Sequence, residues 1–262
     1  MNLKDTAKTV AVKTALSYLD KDPETNLPKL MEWFDKFDTK GTLRKEREAI
    51  RSVIGDKDKN WYKLILSLWK DIDPGVRNRL LENFIINGSL LGYQKQKANK
   101  EKYNCNIPWA ILMNPTSACN LKCTGCWAAE YGNHMNLTYE EMDDIVNQGT
   151  ELGTYVYLFT GGEPLVRKKD IIRLCEEHPD CVFSIFTNGT LIDEAFADEI
   201  LRVQNFIPAI SIEGFEEATD GRRGQGTYQK IMRAMNILKE KRLPFGISCC
   251  YTSVNAEVIG SE

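Results

Sequence analysis

Cys119, Cys123 and Cys126 stand within one short stretch, Cys119-Asn-Leu-Lys-Cys123-Thr-Gly-Cys126, with C-x3-C-x2-C spacing. Thiolates are the natural ligands of soft metals and iron–sulfur clusters, and three on one loop can wrap one corner of a cluster. A [4Fe–4S] cube needs four ligands, so three protein thiolates leave one iron open. An open iron can bind a substrate or cofactor, much as the open position on catalytic zinc does. The structural alternative is a zinc site completed by a distant cysteine or by His134 or His178. Chance clustering of buried cysteines fits poorly with a loop that is otherwise polar. Cys105, Cys175, Cys181, Cys249 and Cys250 are scattered, and each reads as a small buried hydrophobe.

Three further groups have chemical potential. In Gly161-Gly162-Glu163-Pro164 the two glycines let the backbone curl tightly and approach a ligand without a Cβ clash. Glu163 can accept a charge-assisted hydrogen bond from a cationic amine; the plain alternative is a strand-to-helix turn. Thr187-Asn188-Gly189 is either a turn, since Asn-Gly is a common one, or part of the same mouth. Ser211-Ile-Glu213-Gly214 is followed by Arg222, Arg223 and Gly224. A planar guanidinium matches a carboxylate, and either arginine suits that task; the alternative is a solvated basic loop.

The elements that must position these residues change character along the chain. Residues 1–104 read as an all-helical region. Leu27, Leu30, Met31 and Phe34 recur at helical spacing, and Trp61, Leu64, Ile65, Leu68 and Trp69 do so more clearly, the pattern of a helical core. Asp73-Pro74 predicts an N-cap followed by proline at the first helical position, with Gly88 at that helix's far end. Tyr93 to Tyr103 is lysine-rich and reads as a polar helix end or linker. Residues 105–262 alternate strands and helices: strands over 107–113, 155–160, 181–186, 206–212 and 245–251, and helices over 138–152, 170–177, 193–203 and 227–241. Thr138 with Glu141 forms a capping-box pattern. Strict alternation implies right-handed crossovers and a parallel sheet with helices outside it. Ligands of such sheets bind at the carboxyl ends of the strands. The cysteine loop, Gly161-Gly162-Glu163, Thr187-Asn188-Gly189 and Glu213-Gly214 follow four successive strands to one mouth.

With C-x3-C-x2-C after the first strand of a β/α domain and a GGEP turn after the second, the chain resembles the radical S-adenosylmethionine (SAM) superfamily. It is most similar to the SPASM and other peptide-modifying members, over residues 107 to 252. The resemblance implies an α/β fold, a partial (β/α)6 TIM-like barrel of the radical SAM type with about five of its strands present, preceded by the all-helical N-terminal region. It implies a [4Fe–4S] cluster on Cys119, Cys123 and Cys126 whose open iron chelates SAM. One electron cleaves SAM to methionine and a 5′-deoxyadenosyl radical, which abstracts hydrogen from a substrate. A peptide or protein is the favoured substrate, with cofactor or lipid modification as the other options. Glu163 then meets the SAM amino group, Thr187 and Asn188 lie near the SAM site, and Ser211 with Arg222 or Arg223 holds its carboxylate. One departure is Gly125, which stands where the family commonly has an aromatic residue, with Trp127 just after the third cysteine. The family core usually has six strands, so the chain is expected to be truncated at its C-terminus. The competing class is a non-catalytic iron–sulfur or zinc protein acting in electron transfer or as a scaffold.

Bulk properties narrow the setting. The 262 residues are 42% hydrophobic and 27% charged, ordinary for a globular protein, and the net charge of −3 gives no reason to expect nucleic acid. Lys4, Asp5, Lys8 and Lys13 interrupt the apolar residues of the N-terminus, and no window holds the roughly 20 apolar residues of a membrane span. A cytoplasmic oxidoreductase is the expectation, its eight cysteines reduced as cytosolic thiols are. Iron–sulfur potentials reach down to about −700 mV, while the thiol pool sits at roughly −220 to −320 mV. The reductant is therefore expected to be a flavodoxin or ferredoxin. The N-terminal helical region is a candidate lid, substrate-docking surface or dimer contact.

Overall fold

Five strands, β1 (Ala110–Thr116), β2 (Val156–Gly161), β3 (Val182–Thr187), β4 (Phe206–Ser211) and β5 (Gly246–Ser248), form one parallel sheet in the order of the chain. The computed structural model describes residues 3–37, 44–259 and 261. It divides into two units, Met1–Asn78 and Arg79–Glu262. The second begins ahead of position 105, where the sequence changes character.

The first unit holds α1 (Leu3–Leu19), α2 (Pro23–Phe37), α3 (Arg44–Ile54), α4 (Asn60–Lys70) and the start of α5 (Pro74–Glu82). Leu16, Leu19, Met31 and Tyr62 are buried. The α4 stripe sits differently from the periodicity: Tyr62 is the buried residue, while Trp61 and Leu64 are exposed. Asp20 gathers Trp69, Arg77 and Asn78 on its carboxylate at 2.8–3.0 Å. Asp73 caps α5 as expected, accepting from the N–H groups of Gly75 and Val76. No helix among the described residues is long and apolar enough to cross a membrane.

Gly88 does not end a helix. The chain continues past Glu82 as a π-type helix, Asn83–Leu91, and then as α6 (Gly92–Tyr103), which stops where Asn104 turns left-handed at φ 51°. Gly88 is buried inside this helix, next to the Val156 side chain of β2, where a Cβ would make only ordinary contacts. The lysine-rich stretch is this α6, which lies within the second unit and is fastened to the end of the 139–152 helix by Lys95 on the Thr150 carbonyl, Gln96 on the Gly153 carbonyl and Asn99 on the Leu152 carbonyl.

The strand–helix alternation places α7 (Tyr139–Leu152), α8 (Lys168–Glu177), α9 (Glu194–Val203) and α11 (Thr227–Glu240) in the crossovers. A further helix, α10 (Glu216–Arg223), precedes α11, and a short α12 (Ala256–Ile259) follows β5. Alternate residues divide the sheet into two faces. Tyr157, Phe159, Phe183, Ile185, Phe206 and Ile210 are fully buried, as are Met142, Val146, Ile171, Leu174, Ile200 and Ile231 on the crossover helices. Phe183 stacks between Tyr157 and Phe159, centroids 5.6 and 5.9 Å apart. On the other face Asn114, Thr160, Phe186 and Ser211 keep partial or full exposure. This open face and the carboxyl ends of the strands carry the site.

Candidate active site

The loop after β1 carries the three cysteines, and three neighbouring segments hold it. The Thr124 N–H donates to the Arg222 carbonyl at 2.8 Å, and the Glu163 N–H donates to the Ala118 carbonyl at 2.8 Å. The Gly162 N–H meets the Thr116 carbonyl at 2.9 Å. Asn188 donates to the Asn120 side chain at 2.8 Å, and Asn120 donates to Thr190 at 2.9 Å. The ends of β2 and β3, together with the last turn of α10, therefore fix one loop. Asn120 is a loop-holding residue that sequence reasoning missed, since an asparagine between two cysteines reads as spacer.

The thiols of Cys119, Cys123 and Cys126 are all free and line one cavity of about 150 Å³. The same cavity is lined by Gly161, Gly162, Glu163, Thr187, Asn188, Ser211, Arg222 and Arg223, whereas Gly189 and Glu213-Gly214, which follow the same strand ends, are not part of its lining. Burial pushes the Cys119 and Cys123 thiols above the usual range, and for Cys123 the two arginines pull the other way. The Leu121 N–H points at the Cys119 sulfur, 3.4 Å away. Gly125 occupies its position because the backbone there is left-handed, φ 67°, with open space where a side chain would begin.

The double glycine has a local reason. A Cβ on Gly161, whose φ is 111°, would lie 2.7 Å from the Thr116 carbonyl oxygen; one on Gly162 would lie 2.2 Å from that of Ala118 and 2.5 Å from that of Ser117. The close approach is thus to the chain's own β1 loop, and it brings the turn against the cysteines. Glu163, 1% exposed, accepts from the Leu165 N–H at 2.9 Å and from Thr187 Oγ1 and the Asn188 N–H at 2.7 Å. Three of the roughly four acceptor positions of a carboxylate are thereby filled, leaving one on Oε2. Burial pushes the carboxyl upward, against these three donors.

Glu213 is the second buried carboxylate, also 1% exposed. Its Oε1 accepts from Arg222 Nη1 and from Arg223 Nε and Nη2, the latter two at 3.0 and 2.6 Å. The basic pair is thus the end of a helix whose two guanidiniums share one carboxylate, not a solvated loop. Glu213 was visible in the strand-end motif, but its partners lie nine and ten residues away, beyond any local pattern.

A second cavity, about 550 Å³, adjoins the first across Trp127, Gly161 and Gly162. Asn114, Ser117, Tyr131, His134 and Met135 contribute to its wall, and among the described residues none that lines it is a lysine, arginine, aspartate or glutamate. Trp127 and Tyr131 meet edge to face at 6.0 Å.

The donors present fit an iron–sulfur cluster better than a single zinc ion. In a cubane each thiolate takes its own iron, so the sulfurs need not converge on one point. A mononuclear site does need convergence, and among the described residues no three His, Cys, Asp or Glu side chains are gathered that way. His178 is engaged with Asp143 at 2.6 Å, at the amino end of β3, and His134 lines the neighbouring cavity. Of the scattered cysteines, Cys175 and Cys181 are buried as expected, whereas Cys105, Cys249 and Cys250 are exposed. The last two follow a β5 shorter than the sequence suggests.

Comparison with known proteins agrees with this geometry. The chain is 33% identical over 146 residues to the Fe-coproporphyrin III synthase of Methanosarcina barkeri, covering 52% of this chain and 35% of that protein. It is 30% identical over 172 residues to the cysteine-type anaerobic sulfatase-maturating enzyme of Clostridium perfringens, covering 57% and 46%. It thus spans less than half the length of either relative. A solved structure of tagged anSMEcpe with bound AdoMet superposes with a TM-score of 0.51 at 28% identity, over 58% of this chain and 44% of that one. The family model described as the Radical SAM superfamily matches residues 113–257, from the middle of β1 to the start of α12, more than half of the sequence. The chain belongs to the radical SAM superfamily.

Proposed function

We propose that Cys119, Cys123 and Cys126 hold a [4Fe–4S] cluster, that SAM binds beside it, and that the protein abstracts hydrogen from a peptide substrate. The observation that carries this reading is the single cavity shared by three free thiols, Glu163, Ser211 and both arginines. Bound there, the cluster supplies the electron that splits SAM into methionine and a 5′-deoxyadenosyl radical.

The protein's own groups have separable tasks. Gly161 and Gly162 bring the β2 turn against the cysteine loop. Glu163 offers its remaining acceptor position to the SAM amino group, a charge-assisted bond. Ser211 and one of Arg222 and Arg223 receive the SAM carboxylate. Thr187 and Asn188 keep the Glu163 carboxylate in place and border the SAM site. The 550 Å³ cavity is within the usual range for a ligand site, and it is the substrate chamber. The described residues of its lining are uncharged and partly aromatic, which suits the side chain of a peptide better than a polyanion, which would need cations around it. The electron comes from a flavodoxin or ferredoxin in the cytoplasm, because the thiol pool is too weak a reductant.

Anaerobic reconstitution with iron and sulfide tests the reading. The expected product is a brown protein with a cubane cluster that forms 5′-deoxyadenosine from SAM under dithionite. Cys123→Ala should abolish both the cluster and the cleavage. A colourless zinc protein that leaves SAM intact would refute the proposal, as would cleavage retained by the variant.

A further inference from the structure

We infer that Glu213 is a positioning residue that aims Arg222 and Arg223 into the cysteine cavity. The inference rests on the SAM-binding reading above. Two guanidiniums are always charged, and one buried carboxylate lies between them. Glu213 is 1% exposed, Arg223 10% and Arg222 22%, so these charges sit where screening by solvent is weak.

The geometry explains how one side chain sets both others. Oε1 takes Nε and Nη2 of Arg223 in a two-pronged contact, and it takes only Nη1 of Arg222. Among the described residues no hydrogen bond engages Arg222 Nε or Nη2 or Arg223 Nη1, and both residues line the cavity of the three cysteines. Oε2 faces the other way, accepting from the Cys250 N–H at 3.2 Å and lying 3.5 Å from Asn255 Nδ2. Glu213 is thus anchored from the segment after β5 while it steers the end of α10. The same end of α10 takes the Thr124 N–H of the cysteine loop on the Arg222 carbonyl. A tie that only held β4 to α10 would not need two guanidiniums on one oxygen at the wall of a cavity.

The test uses reconstituted protein and two probes, SAM and decarboxylated SAM, which differ by the carboxylate alone. Equilibrium dialysis under anaerobic conditions gives the ratio of their dissociation constants. A charge-assisted contact is worth about tenfold or more, so the wild-type protein should favour SAM by at least ~10-fold. In Glu213→Gln the ratio should fall to roughly 2 or less while iron content stays at the wild-type level. Glu213→Asp keeps the charge and so protects against misfolding, but it withdraws the carboxylate by one methylene. Its ratio should be intermediate, with the lost preference appearing in the dissociation constant of SAM and not in that of the decarboxylated probe. A purely structural role would weaken both probes equally. An unchanged ratio in either iron-loaded variant overturns the inference. Failure of the wild-type protein to bind SAM at all would be distinct, and would overturn the SAM-binding reading itself.

Discussion

Replacing Gly162 by alanine would set a methyl carbon 2.2 Å from the Ala118 oxygen, a separation that real Cβ atoms do not adopt. The added carbon is fixed to the β2 turn and the oxygen belongs to the backbone of the cysteine loop, so one of the two must move and the seat of the loop that carries Cys119 changes. Gly162→Ala is therefore expected to lower iron incorporation during anaerobic reconstitution and to lower the melting temperature. Wild-type iron content in the variant would show that the two turns are not coupled through this contact. At this scale the sequence tells which side chains gather and leaves out much of what they touch. Glu163 reads as a group waiting for an amine, yet most of its acceptor capacity is spent on Leu165, Thr187 and Asn188. Arg222 and Arg223 read as alternatives, yet they are tied to the same oxygen. Spacing along the chain reports which residues can share a strand end; it does not report a hydrogen bond between two such ends.

At the level of elements, α7 begins with a reciprocal cap that the sequence announces. Thr138 Oγ1 accepts from the Glu141 N–H at 3.1 Å, and the Glu141 carboxylate accepts from the Thr138 N–H at 2.7 Å. Thr138→Ala should cost about 1 kcal/mol in urea unfolding and leave iron incorporation unchanged; a loss well under 0.5 kcal/mol would mean the cap is redundant. Such caps are legible because donor and acceptor lie three residues apart. Elements whose ends are decided by partners far along the chain are harder to place. β1 runs on through Pro115 to Thr116, past the predicted end at 113, because β1 is an edge strand with an irregular register there and needs no N–H at the proline. β5 stops at Ser248 although apolar residues continue, and the Cys250 N–H donates instead to Glu213. The helix α10 is invisible to periodicity because its sequence, EEATDGRR, has no apolar stripe. Its buried residues are Thr219 and Asp220, and Asp220 accepts from the Gly226 and Tyr228 N–H groups.

Across the whole molecule, the core sets a limit on the alkaline side. Burial pushes the Cys181 thiol up from 9.0 to about 12, and Cys175, wholly buried beside it, stands well above its ordinary value. A raised thiol stabilises the fold fully below pH 9, where it is neutral in both folded and unfolded chains. That stabilisation is lost as the pH rises from 9 to about 12. The urea midpoint should therefore fall between about pH 8 and about pH 10.5, and fall less steeply in Cys181→Ala. Equal slopes in the two proteins would remove the thiol from the explanation. Strand order is the other property of the molecule as a whole, and it equals the order of synthesis. The cysteine loop follows the first strand, whereas the Arg222 carbonyl that receives the Thr124 N–H lies beyond the fourth. During translation the three thiols are therefore made well before the wall that clasps them. A nascent chain passes through a stage with a metal-ready loop and no enclosing side, open to whatever delivers iron and sulfide and equally open to oxidation.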